Sequence, residues 1–375
     1  LPIALGILSA SGQMPQHSLA QHEFLAELAL DGSLRPVPGV VAAAVAASGK
    51  GRQLVVASVC ASAAAIVPGS RVIAAPDILT LCAHLNGSEK IAATQAGVAA
   101  MVQGHPDLCD VVGQEGARRA LEIAAGGGHN LLLWGPPGTG KTLLASRLPG
   151  ILPPPAPHEI LLGLALRDID SPSAEGDFVF QRPFRNPHHS ASAAALVGGG
   201  SKPRPGEISL AHGGVLFLDE LPEFSRHCLE VLREPMESGE ITLARASHRI
   251  TYPARFQLVA AMNPCPCGYL GDPDRPCRCT PEQIQRYRSR VSGPLLDRID
   301  LHVQVSRLTP RELLAPATVG EASAVVQERV YRCRALQEER QGSPNSQLSP
   351  DKLGRICALG EAEMKSLISA ATQMH

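Results

Sequence analysis

The sequence predicts an α/β fold in which a phosphate-binding loop follows a buried strand, and three observations predict it. Residues 135–142 read GPPGTGKT and fit the pattern G-x-x-x-x-G-K-[ST] at every fixed position. An apolar run at 129–134 precedes this loop and helix-forming residues 141–148 follow it, the strand–loop–helix order that the motif requires. Residues 214–220 read GVLFLDE, apolar side chains ending in two acids, as expected of a buried parallel strand whose carboxyl end faces a ligand.

The loop's composition carries its chemistry. Gly135, Gly138 and Gly140 allow backbone conformations closed to other residues, so N–H groups can turn inward round phosphate oxygens. Pro136, Pro137, Thr139 and Leu143 complete the nucleotide-binding stretch. Lys141 is spaced to reach the β- and γ-phosphates of ATP, and the Thr142 hydroxyl to bind Mg²⁺. The dipole of the following helix adds positive potential. Asp219 would hold the same Mg²⁺ through water, while Glu220 would orient and deprotonate the attacking water.

A chain of 375 residues has room for two or three domains, and 44% hydrophobic residues with a net charge of −1 describe an ordinary globular protein. Total charge gives no sign of a nucleic-acid partner, so any basic surface must be local. The chain begins at Leu1, which marks a piece of a longer protein. The apolar segment 1–8 lacks a basic leader and is too short for a membrane span. The reading is a cytoplasmic protein with no membrane partner, whose ten cysteines are reduced thiols or metal ligands.

Residues 1–85 form a small α/β module, with helical spacing over 18–30, a turn at 35–39, a helix at 40–47 and strands at 53–58 and 71–75. Residues 86–110 are a polar join, and the nucleotide-binding domain runs over 111–309, with a helix at 115–125. A Pro-rich break at 153–157 and a helix at 159–165 lead into a long polar stretch, 167–206, of the kind that is functional inside a compact domain. Two β-rich runs, 240–245 and 249–252, read as a hairpin whose loop carries Arg245, His248 and Arg249. It is either structural or a device that brings these three residues to nucleic-acid phosphates in a central pore. The strand 255–262 ends at Asn263, beside the γ-phosphate and attacking water on one reading and a simple Asn-Pro turn on the other.

Cys265, Cys267, Cys277 and Cys279 make two tight pairs that suit a tetrahedral Zn²⁺ cage. Each pair has a single intervening residue, fewer than the usual two to four, which leaves reduced structural thiols as the alternative. Residues 284–300 are dense in arginine, and Arg298 stands just before the strand 301–305. There it could reach the ATP of a neighbouring subunit, or pair with Asp297 or Asp300. Residues 310–375 are helical and charged and read as the start of a helical lid.

With these pieces assembled, the chain resembles the ComM/YifB branch of the magnesium-chelatase-like AAA+ ATPases. The resemblance rests on GPPGTGKT, GVLFLDE, RPFRNPHHSAS at 182–192, LVGGGSKPRPGEISLAHGGVLFLDE at 196–220, NPCPCGYLGDP at 263–273 and SGPLLDRIDLHV at 292–303. It implies an AAA+ P-loop αβα sandwich with a helical lid, preceded by the C-terminal part of a Lon-protease-like (ribosomal S5 domain 2-like) α/β domain, assembled as a hexameric ring. It also implies Lys141 and Thr142 as Walker A residues, Asp219 and Glu220 as Walker B acids and Asn263 as sensor 1. Arg298 becomes the arginine finger, and 240–254 the pre-sensor insertion. The sensor-2 arginine of such a lid falls beyond His375. The segment 34–45 holds no lysine where a Lon site would place one, so the N-terminal domain reads as a non-proteolytic collar.

The implied activity is ATP-driven helicase and branch-migration work on single-stranded or branched DNA during natural transformation. The alternative is a chelatase-type ATPase that remodels a protein or supports Mg²⁺ insertion into a porphyrin.

Overall fold

The computed structural model describes residues 1–94, 100–101, 104–170, 179–200, 203–244, 249–309 and 320–374. The N-terminal module is a three-stranded parallel sheet of β1 (His22–Leu25), β2 (Gln53–Ala57) and β3 (Arg71–Ala75), in that order, with α1 (Val40–Gly49) on one face. Val40, Val41 and Ala44 of α1 pack against Leu54, Val56 and Val72. The helical spacing over 18–30 is overridden. Only Gln16–Ala20 is helical, and the chain then enters β1. Phe24 and Leu25 face opposite cores across the sheet, so pairing with β2 and two-sided packing select the extended chain.

The larger domain follows as α2 (Glu115–Gly127), β4 (Leu131–Trp134), α3 (Lys141–Ile151), α4 (Pro157–Asp170), β5 (Phe184–Arg185) and β6 (Val215–Leu218). Next come α5 (Arg233–Ser238), β7 (Glu240–Ala244), β8 (Arg249–Pro253), β9 (Gln257–Met262), α6 (Pro281–Arg288), β10 (Leu301–Gln304) and α7 (Ser323–Gln341). Five strands form one parallel sheet in the order β10–β4–β9–β6–β5. Successive residues of each central strand serve two separate cores. Leu131, Leu133, Val215, Phe217, Val259 and Ala261 meet α2, α3 and α7, whereas Leu132, Leu216, Leu218, Leu258 and Ala260 line the other face. Burial on both faces is why these strands read as unbroken apolar runs.

Crossovers place β9 between β4 and β6. Three carboxyl ends therefore stand side by side: the loop after Trp134, Asn263 after Met262, and Asp219 after Leu218. The hairpin of β7 and β8 is antiparallel and pairs Thr242 with Thr251 through their hydroxyls at 3.1 Å.

Two segments pack across the expected boundaries. The helix expected at 159–165 is longer at both ends, as α4, and its Leu164 sits in the N-terminal core. Val326 and Val330 of α7 belong to the core of the larger domain, while Pro350–Ile356 and Glu361–Met374 beyond it are helical. The polar stretch 167–206 also contributes β5, the edge strand, which is too short to show a periodicity.

One buried contact ties the two parts together. The N-cap of α1, Gly39, has no side chain to cap the helix. Asp168 of α4 supplies the acceptor, taking the Val41 N–H at 3.2 Å, although burial pushes its carboxyl above the usual carboxylate range. Asp168→Ala is expected to cost about 1–2 kcal/mol, and Asp168→Asn less because an acceptor remains. Urea unfolding of the three proteins checks this, and equal midpoints would refute it.

Candidate nucleotide-binding site

The site begins where β4 ends. A Cβ on Gly135 would come within 2.1 Å of the Val305 carbonyl oxygen, so only glycine lets the loop leave the sheet beside β10. Gly140 then takes a left-handed φ of 89° as the N-cap of α3. Gln114, itself left-handed at φ 53°, donates to the Ser306 carbonyl (2.6 Å) and approaches the Thr139 carbonyl (3.5 Å). The segment before α2 is thereby pinned to the loop.

Lys141 opens α3 and is only 9% exposed. Its ammonium donates to the Gly135 carbonyl (2.8 Å), the Pro136 carbonyl (2.8 Å) and Asn263 Oδ1 (3.1 Å). Burial lowers its pKa, and the carboxylates of Asp219 and Glu220 pull the other way. A phosphate group entering here would add negative charge beside an ammonium already out of water.

Thr142 Oγ1 donates to Asp219 Oδ2 at 2.7 Å, joining α3 to the end of β6. A hydroxyl and a carboxylate in contact are hard oxygen donors of the kind Mg²⁺ takes, so the donor set fits that ion. Glu220 follows with φ 54°, a strained conformation for a non-glycine residue, and its N–H bonds Asp219 Oδ1 at 2.9 Å. Its side chain is half-exposed, with Oε2 3.2 Å from His189 Nδ1. His189 is held in turn against the ring of His188 (4.1 Å between centroids) and edge-on to Phe224.

The structure thus brings Lys141, Thr142, Asp219, Glu220 and Asn263 to one cleft. Arg298 engages other groups, namely Glu237 of α5 and the Pro294 carbonyl. Neither Asp297 nor Asp300 is its partner. Asp300 instead accepts from the Asn130 N–H (2.9 Å) and lies beside His129. Of the candidates on the hairpin loop, Arg249 is exposed at the start of β8, and Arg245 and His248 lie outside the described residues. His189 and Gln114 were not singled out by residue chemistry. The one signal for His189 was its place in the unexplained segment RPFRNPHHSAS.

The four expected cysteines do meet. Their sulfur atoms all lie within 4.8 Å of one another, and the closest pairs are 3.4 and 3.6 Å apart. Tetrahedral Zn²⁺ with thiolates at about 2.3 Å requires sulfurs about 3.8 Å apart, so the cluster fits such an ion. N–H groups of Arg278 and Tyr269 lower the Cys267 thiol to about 6, whereas desolvation and the contacts with Cys265 and Cys267 push Cys277 up and Cys279 up to about 12, so without a cation the cluster holds its negative charge mainly at Cys267. All ten cysteines are free.

A glycine-rich lysine loop on a central parallel strand, facing strand-end acids and a strand-end asparagine, defines a P-loop nucleotide site of the AAA+ class. Comparison with known proteins narrows this. The family described as magnesium chelatase, subunit ChlI, matches residues 107–313, with further matches to ChlI at 1–59 and to the ChlI C-terminal region at 320–375. The chain is 48% identical over 360 residues to the protein YifB of Escherichia coli, covering 96% of this chain and 71% of that one. It is 47% identical over 380 residues to the competence protein ComM of Haemophilus influenzae, covering 100% and 74%. Similarity to the magnesium-chelatase subunit ChlI of Nephroselmis olivacea is lower, 29% over 155 residues, covering 41% of this chain and 37% of that subunit. The chain belongs to the magnesium chelatase ChlI family of AAA+ ATPases, on the side of ComM and YifB. No helix among the described residues is long and apolar enough to cross a membrane.

Trp134, the single tryptophan, ends β4 and lines a cavity of about 240 Å³ with Gly135 and Pro136. Its emission should change when Mg-ATP is added. An unchanged spectrum at saturating nucleotide would show that ATP does not bind at this loop.

Proposed function

We propose that this chain is the ATP-hydrolysing part of a cytoplasmic DNA motor that works as a hexameric ring. The observation that carries the reading is the meeting of Lys141, Thr142, Asp219, Glu220 and Asn263 at neighbouring strand ends. On binding ATP, Lys141 exchanges its carbonyl partners for the β- and γ-phosphates, and Thr142 and Asp219 hold Mg²⁺. When bound there, the ion would supply positive charge to neutralise that developing on the phosphates. Glu220, released from His189, takes the proton of the attacking water, and Asn263 orients that water beside the γ-phosphate.

Arg298 leaves Glu237 to serve the ATP of the adjacent subunit. The hairpin of β7 and β8 offers Arg249, with Arg245 and His248 of its loop, to DNA phosphates. The four-cysteine cluster holds Zn²⁺, and the N-terminal module is a non-proteolytic collar. Support for DNA as the partner comes from the basic hairpin and from the similarity to a protein named for competence.

The test is the ATPase rate of the intact protein at low salt, with and without single-stranded DNA, beside Glu220→Gln. Wild type should be stimulated several-fold by DNA. The variant should bind ATP but hydrolyse it about a hundredfold or more slowly. No stimulation would remove DNA as the partner and favour a chelatase-type role on a protein. Near-normal turnover by the variant would show that another group is the base.

A further inference from the structure

The loop 264–280 follows Asn263 directly and ends at the N-cap of α6, Thr280. It contains no helix or strand, and only Pro264, Cys265 and Gly268 are buried within it. A segment with so little apolar burial cannot hold its shape by a hydrophobic core of its own. Its middle is held by Asp272, which pairs with Arg307 (3.6 Å) and accepts from the Asp274 and Arg275 N–H groups, while the four sulfurs tie its two ends together, helped by the Cys267 N–H donated to Cys279 Sγ (3.4 Å) and the Cys279 N–H donated to Cys277 Sγ (3.5 Å).

What the loop touches gives this shape a consequence. Gly268, at φ 83°, lies so close to the phosphate loop that a Cβ on it would meet Pro137 Cδ at 2.7 Å and Asn263 Cγ at 3.8 Å. Leu270, Gly271 and Asp272 form one side of the cavity whose other side is Trp134, Gly135 and Pro136. Asn263 itself holds the Lys141 ammonium. One face of the cysteine loop thus lies close against the ring of Pro137, in the loop that must wrap the triphosphate.

We infer that Cys265, Cys267, Cys277 and Cys279, by binding Zn²⁺, act as positioning residues for the ATP site, setting the loop that buttresses Pro137 and Asn263. This rests on the zinc reading above. On binding, the four thiols release their protons and give thiolate–zinc bonds, and no oxidant or reductant is involved. The phosphate loop then keeps a fixed wall on its open side. Without the metal that wall relaxes, while the sheet, whose two cores include none of the cluster's residues, stays folded.

The experiment uses the intact protein, its zinc content by mass spectrometry, and the binding of a fluorescent ATP analogue. As purified it should carry about one zinc per chain. Removal with a mercurial and chelator should leave the far-ultraviolet circular dichroism of the sheet domain in place and weaken ATP binding about tenfold or more, with zinc and thiol reductant restoring it. Gly268→Ala removes no thiol, so it should retain zinc and still bind ATP more weakly, because its methyl group displaces Pro137.

Protein that neither contains nor takes up zinc would overturn the zinc reading itself. Zinc-loaded protein whose stripped form and Gly268→Ala variant bind ATP as tightly as wild type would leave the metal site standing and overturn the buttress. Collapse of the whole circular dichroism signal on stripping would also overturn it, since the metal would then hold the fold and not the loop.

Discussion

A lysine ammonium taken out of water is costly unless each of its protons finds an acceptor, and Lys141 finds three. Two of them, the Gly135 and Pro136 carbonyls, belong to the loop that Lys141 itself closes, so the cradle and the charge fix each other. The third, Asn263, comes from the end of the neighbouring strand and ties the loop to the sheet. The glycines, the close approach of Val305 and the pinning by Gln114 are needed because a cradle of this kind tolerates little displacement.

From that constraint the rest of the site follows. Placing β9 between β4 and β6 is the crossover that sets Asn263 and Asp219 beside the loop, and Thr142 closes the remaining gap to Asp219. Glu220 stands one residue further on, in a strained conformation, its carboxylate resting on His189. The left-handed backbone and the contact with His189 together fix the carboxylate's place at the edge of the cleft. Arg298 is likewise parked, on Glu237 of the helix that leads into the basic hairpin. The described chain thus holds Glu220 and Arg298 against its own side chains.

Much of this was legible in the sequence. GPPGTGKT and GVLFLDE specify the loop and the acid strand because their chemistry leaves few alternatives, and continuous apolar runs such as LLLW at 131–134 reveal strands buried on both faces. What was not legible depends on contacts between distant segments. β5 is two residues inside a polar stretch and exists because β6 pairs with it, the Val215 N–H of β6 donating to the Pro183 carbonyl just before β5. The helical spacing at 18–30 lost to strand pairing. His189 meets Glu220, and Glu237 meets Arg298, across separations that no local pattern records. The cysteine spacing argued against a metal cage, yet the turn through Gly268 and Gly271 brings the two pairs together.

The most direct measurement is calorimetric titration of Mg-ATP into the intact protein and into Lys141→Ala, with circular dichroism confirming that both are folded. Wild type should bind, and the variant should lose about a hundredfold in affinity, on the order of 3 kcal/mol. A folded variant that binds Mg-ATP as tightly as wild type would contradict the placing of the triphosphate at this loop, and with it the roles given to Thr142, Asp219, Glu220 and Asn263.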